Sequence, residues 1–106
     1  MPVNYAGTAS DQRIVLLSNA AATGNWYPVA GGYYTFAVWG GNWGGATVQL
    51  QWSDTSGLLT AFDIDGVTGT ADAAVSGIPL ATGYARCTIT GGTGVSLNAT
   101  LSGISN

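Results

Sequence analysis

The side chains that carry most enzyme chemistry are missing from this chain: it has no lysine, no glutamate and no histidine. Without histidine no Ser–His–Asp or Cys–His nucleophilic site can be assembled. Of the His, Glu, Asp and Lys groups that most often do general acid–base work, only Asp remains. Charge of either sign is scarce. Charged residues make up 7% of the 106 positions, against about 25% in an average soluble domain. All of them are Asp11, Arg13, Asp54, Asp63, Asp65, Asp72 and Arg86. A net charge of −3 with two arginines provides no basic footprint for nucleic acid and no cationic cluster for anionic lipid. The single cysteine, Cys87, rules out an intrachain disulfide framework and a cysteine-based zinc cluster.

Long apolar runs are absent too. Mean hydropathy is +0.27, but the longest charge-free stretch, residues 14–53, is broken throughout by Gly, Asn, Thr and Gln. Nothing approaches the roughly 20 continuous apolar residues of a membrane span. The beginning, MPVNYAGTASDQR, has neither a positive n-region nor an apolar h-region, so no signal peptide is expected. These absences point to a non-enzymatic chain without cofactor or metal, with no nucleic-acid or membrane partner, made in a cytoplasm. So few charges leave a free monomer poorly protected against association. Much of the outside is therefore expected to be shielded by other subunits.

What is present is glycine and alternation. Gly31-Gly32, Gly40-Gly41, Gly44-Gly45 and Gly91-Gly92, with Gly57, Gly66, Gly77 and Gly103, punctuate short apolar and aromatic runs. Such spacing predicts one antiparallel β-sandwich over residues 1–106, jelly-roll or immunoglobulin-like, with little or no helix and an extended N-terminal arm over residues 1–12. The clearest strand covers residues 46–53, with Val48, Leu50 and Trp52 on one face and Thr47, Gln49, Gln51 and Ser53 on the other. Residues 84–90 turn Ala85, Cys87 and Ile89 one way; residues 95–101 turn Val95, Leu97, Ala99 and Leu101 one way. These two strands flank Gly91-Gly92-Thr93-Gly94 and read as a hairpin. Residues 33–39 carry aromatics on both faces, which predicts a strand covered on both sides. Residues 13–18 and 58–64 are further expected strands. Residues 67–78 are ambiguous, with residues 71–75 a candidate for a short turn of helix.

Few polar groups invite a chemical reading. Asp63 and Asp65 lie two apart, on one face of a strand, and with Asp72 raise a calcium reading. An Asp65-Gly66 turn explains them more simply. Cys87, between Ala85 and Ile89, reads as a buried small hydrophobe. Asn98-Ala99-Thr100 matches a glycosylation sequon, but with no signal peptide expected it reads as a coincidence. The aromatics are the best functional candidates. Trp26, Tyr27, Tyr33, Tyr34, Trp39, Trp43 and Trp52 all fall within residues 26–52. Trp52 falls on the inward face of its strand. Trp26, Tyr27, Tyr33, Trp39 and Trp43 are the candidate interface residues, as anchors of a protein contact. The alternative is a stacking platform for a glycan.

Leu17-Ser18-Asn19-Ala20-Ala21-Ala22-Thr23-Gly24, the Trp/Pro/Gly-Gly segment of residues 26–32, Tyr34-Thr35-Phe36-Ala37-Val38 and Gly44-Gly45-Ala46-Thr47-Val48-Gln49-Leu50-Gln51 together resemble small tailed-bacteriophage virion proteins. The likeness continues through Ile78-Pro79-Leu80-Ala81-Thr82-Gly83-Tyr84-Ala85-Arg86, the Thr90-Gly91-Gly92 turn and a last strand over residues 95–101. The resemblance implies a structural component of the virion, a capsid decoration (cement) protein or a small tail or fibre module. It further implies self-association, as a homotrimer, and contact with the major capsid protein or another virion protein.

Overall fold

A computed structural model describes residues 12–54 and 61–104. Eight strands run in the order β1 (Arg13–Ala20), β2 (Tyr27–Val29), β3 (Gly32–Asn42), β4 (Thr47–Ser53), β5 (Phe62–Gly69), β6 (Ala73–Leu80), β7 (Gly83–Thr90) and β8 (Ser96–Gly103). They form two antiparallel four-stranded sheets, ordered β1-β8-β3-β6 and β2-β7-β4-β5. Of the described connections, each passes from one sheet to the other; β4 and β5, by contrast, are neighbours in one sheet. This is the strand order of a jelly roll, and it decides between the two sandwich topologies expected. The N-terminal arm expected over residues 1–12 lies outside the described residues except for Gln12.

Period-two alternation does what half-buried strands require. Tyr34, Phe36 and Val38 of β3 and Leu97, Ala99 and Leu101 of β8 point inward from one sheet. Val48 and Leu50 of β4 and Ala85 and Cys87 of β7 meet them from the other. Tyr34 is fully buried, and its hydroxyl is met by the Ala30 carbonyl and by Gln12 Oε1 at 2.7 Å. Gln12 Oε1 also accepts from the Ala30 N–H at 2.8 Å. One side chain thus ties the start of β1 to the β2–β3 corner, and the buried phenol keeps hydrogen-bonding partners.

Three local expectations are corrected. The strands over 84–90 and 95–101 exist, but they are not a hairpin: β7 pairs with β2 and β4, and β8 with β1 and β3. The Gly-rich turn between them arches over the end of the sandwich. Its three glycines, 91, 92 and 94, all have positive φ. Inward alternation is the same whether two strands lie side by side or face each other across a core, so the pattern could not tell the cases apart. Residues 73–75, expected in a turn of helix, belong to β6, because the open edge of β3 takes them as its partner from Val38↔Ala73 to Gly32↔Leu80. Finally, the strand expected over 58–64 runs from Phe62 through Gly69; residues 58–60 lie outside the described residues. The Asp65-Gly66 pair does not end it but forms a bulge, with Gly66 at φ 78°.

Candidate functional surfaces

The structure distributes the five candidate aromatics over four places. Tyr33 and Trp39 lie on the outer face of β1-β8-β3-β6, 51% and 43% exposed. Register defines the rest of that face, since directly paired residues point the same way. Tyr33 sits beside Pro79, Ala37 beside Ala74 and Thr100, Trp39 beside Asn98, and Val15 beside Thr100. Val15 is 49% exposed. The floor between the aromatics is small and uncharged: Ala37, Thr100, Ala74, and Thr35 bonded to Ser76 at 3.0 Å. Arg13 is the one charged residue among the described strand residues of this face.

Trp43 belongs to the end of the sandwich, in the β3–β4 loop. It is half-buried against the core, and its Nε1 donates to Asp72 Oδ1 at 2.8 Å. The same oxygen accepts from the Gly40 N–H at 3.0 Å. Trp43 therefore closes the core and pins the β5–β6 turn to β3. The Asp72 carboxylate is taken up by these two donors. Tyr27 pairs with Ala85 and packs half-buried against the core.

Trp26 lies on the outer face of the other sheet, β2-β7-β4-β5. The Arg86 guanidinium sits over its ring, 4.5 Å from the centroid. Arg86 Nε donates to Gln51 Oε1 at 2.8 Å, and Gln51 Nε2 donates to Asp63 Oδ1 at 2.8 Å. One row, Trp26–Arg86–Gln51–Asp63, therefore crosses the whole sheet. Sequence reading missed it. Alternation places Arg86 and Gln51 on outward faces, but nothing local says that β7 and β4 are neighbours.

The remaining candidates are accounted for. Asp63 is held by Gln51, while Asp65 is in the bulge that Gln49 Nε2 clamps by donating to the Ile64 and Val67 carbonyls at 2.8 and 3.2 Å. Among the described residues no group of three or more Cys or Asp side chains could hold a metal ion. Cys87 is buried, and desolvation pushes its thiol up to about 12, the backbone hydrogen bond at Gln49 opposing the shift. Such a thiol is inert as a nucleophile near neutrality. Asn98 and Thr100 lie in β8 between two strands, and Asn98 Oδ1 accepts from the Asn19 N–H at 3.0 Å. Among the described residues no helix is long and apolar enough to cross a membrane. Compared with known proteins, the chain matches no family model, no curated protein and no solved structure.

Proposed function

We propose that this chain is a non-enzymatic structural protein of a tailed-bacteriophage virion, in the manner of a capsid decoration protein. It acts by burying the outer face of β1-β8-β3-β6 against copies of itself and against a capsid surface. The observation that carries the reading is the exposure of Tyr33, Trp39 and Val15 around a floor of Ala and Thr, with Arg13 the one charge among the described strand residues of the face. Aromatics at the rim and small residues between them suit close approach of a second surface. The sequence resemblance supports the virion setting, and the scarcity of charge supports shielding by neighbours.

Magnitude favours many copies. Tyr33 and Trp39 are six residues apart, roughly 20 Å along the strand, and four strands span about 15 Å. That footprint is small beside the roughly 800 Å² per partner of a standard interface. A single contact of this kind is weak, and repetition over a lattice supplies the avidity. Particles purified from lysates in which the chain is made should carry it in many copies. A Tyr33→Ser/Trp39→Ser variant, unchanged in thermal melting, should stay in the supernatant. Particles free of the wild-type chain would overturn the reading.

A further inference from the structure

We infer that the outer face of β2-β7-β4-β5 is a second binding surface, independent of the contact face, and that it takes a glycan bearing carboxylates, of the uronic or sialic acid class. The geometry of Arg86 points to it. Arginine presents five N–H donors in a planar fork. Here Nε is spent on Gln51 and the guanidinium is stacked over Trp26. Among the described residues no acceptor meets either Nη. The Gln51 amide is itself oriented, because Asp63 accepts from its Nε2 and so turns Oε1 toward Arg86. The result is a guanidinium held from two sides whose forked end meets no acceptor among the described residues, which is the geometry for bidentate capture of a carboxylate.

The surroundings select a sugar over a peptide. β7 and β4 are paired on both sides, so no strand edge is open at Arg86 itself for a peptide to extend the sheet. The outward residues that flank Arg86 on β7 are Tyr84 and Thr88. These hydroxyl-bearing side chains form no apolar pocket for a peptide anchor. They border the row on either side with polar groups suited to a sugar's hydroxyls. The row spans three inter-strand spacings, roughly 14 Å, room for a short oligosaccharide. Asp63 stands two strands from Arg86, and the Gln51 amide that bridges them brings its Oδ1 within roughly 8 Å of Arg86 Nε. That is about a Debye length at physiological salt, so its charge weakens but does not cancel the attraction at the fork.

The test is titration of tryptophan fluorescence with three acidic probes: tetragalacturonate, a hyaluronate tetrasaccharide and an α-2,8-linked sialic acid tetramer. The methyl ester of each and tetraglutamate serve as comparisons. Saturable binding of at least one acidic sugar is expected, about tenfold or more tighter than its ester and weakened by salt. Arg86→Lys should lose about the same factor while melting unchanged, since lysine keeps the charge but not the fork. Gln51→Leu, which frees the guanidinium to swing, should weaken binding less. Three results would each overturn the inference: no acidic sugar binds, ester and acid bind alike, or Arg86→Lys binds as the wild type does. Tetraglutamate binding as tightly as the sugars would also overturn it and assign the face to an acidic peptide. None of these outcomes bears on the contact face, which Arg86 does not touch.

Discussion

Cys87 shows how one residue's surroundings outweigh its chemistry. Its thiol is enclosed between the sheets, and burial raises it to about 12, whereas an unfolded thiol titrates near 8.5. The folded state therefore holds a proton that the unfolded chain releases above that value. Stability is unaffected below about pH 8.5 and falls as pH rises from there toward 12. Tyr34 adds to the same alkaline loss, because burial raises its phenol while the bond to Ala30 counters part of the rise. Urea melts at rising pH should show this decline, and Cys87→Ala should reduce its slope. A disulfide reagent should label the native protein only as fast as it unfolds. Gly44 shows the same dependence on surroundings. It has φ 57°, and a Cβ there would stand 2.1 Å from the Thr93 carbonyl oxygen, whereas one on Gly45, at φ 86°, meets nothing within 4 Å. Gly45→Ala should cost about 1–2 kcal/mol from the left-handed backbone alone. Gly44→Ala should cost more than about 2 kcal/mol, because strain and clash combine. Denaturant midpoints of the two variants check the difference.

At the scale of the element, β5 depends on a side chain from its neighbour. Between the pairs Gln49↔Thr68 and Gln51↔Asp63 the strand carries extra residues. The Gln49 amide shares its two donors among the carbonyls of Leu50, Ile64 and Val67. Gln49→Leu should leave these carbonyls short of donors at a cost of about 1–3 kcal/mol. Faster amide exchange confined to residues 64–67 would locate the loss. The turn before β6 is held by Asp72, whose Oδ1 serves Trp43 and Gly40. Asp72→Ala should cost about 1 kcal/mol and red-shift the emission of Trp43, while Asp72→Asn should retain most of both. These elements explain what alternation could reveal and what it could not. In β4, β7 and β8 every second residue is apolar, so the strands and their inward faces were legible. The first half of β6, Ala73-Ala74-Val75-Ser76-Gly77, carries one large side chain, and only pairing with β3 makes it a strand. The bulge at Asp65-Gly66 looked like a strand end because glycine at positive φ serves turns and bulges alike.

At the scale of the whole molecule, the last two strands are both central. β7 lies between β2 and β4, and β8 lies between β1 and β3. Neither sheet can close until the final quarter of the chain is available, and β1–β8 pairing joins nearly opposite ends of the sequence. Folding should therefore be slow for the size of the protein, in milliseconds to seconds or longer, as topologies dominated by distant contacts are. Deletion from Gly91 onward should abolish the fold, read as loss of near-ultraviolet dichroism and rapid proteolysis. The two outer faces should also answer salt differently. Association through the face of Tyr33 and Trp39 involves almost no charge and should be indifferent to it, whereas capture of a carboxylate by Arg86 should weaken as screening grows. Light scattering and fluorescence titration across a salt series separate the two.

Composition and periodicity determined by themselves that this is an all-β sandwich, where most of its strands lie, which of their faces are buried and that these residues offer no histidine. Those properties are local, since a strand's alternation and a missing side-chain type are written in consecutive residues. Strand order, the arch in place of a hairpin, and the assembly of Trp26, Arg86, Gln51 and Asp63 into one row were decided only by tertiary structure. They depend on which strands become neighbours, and a buried face fits equally well beside a strand or across the core from it.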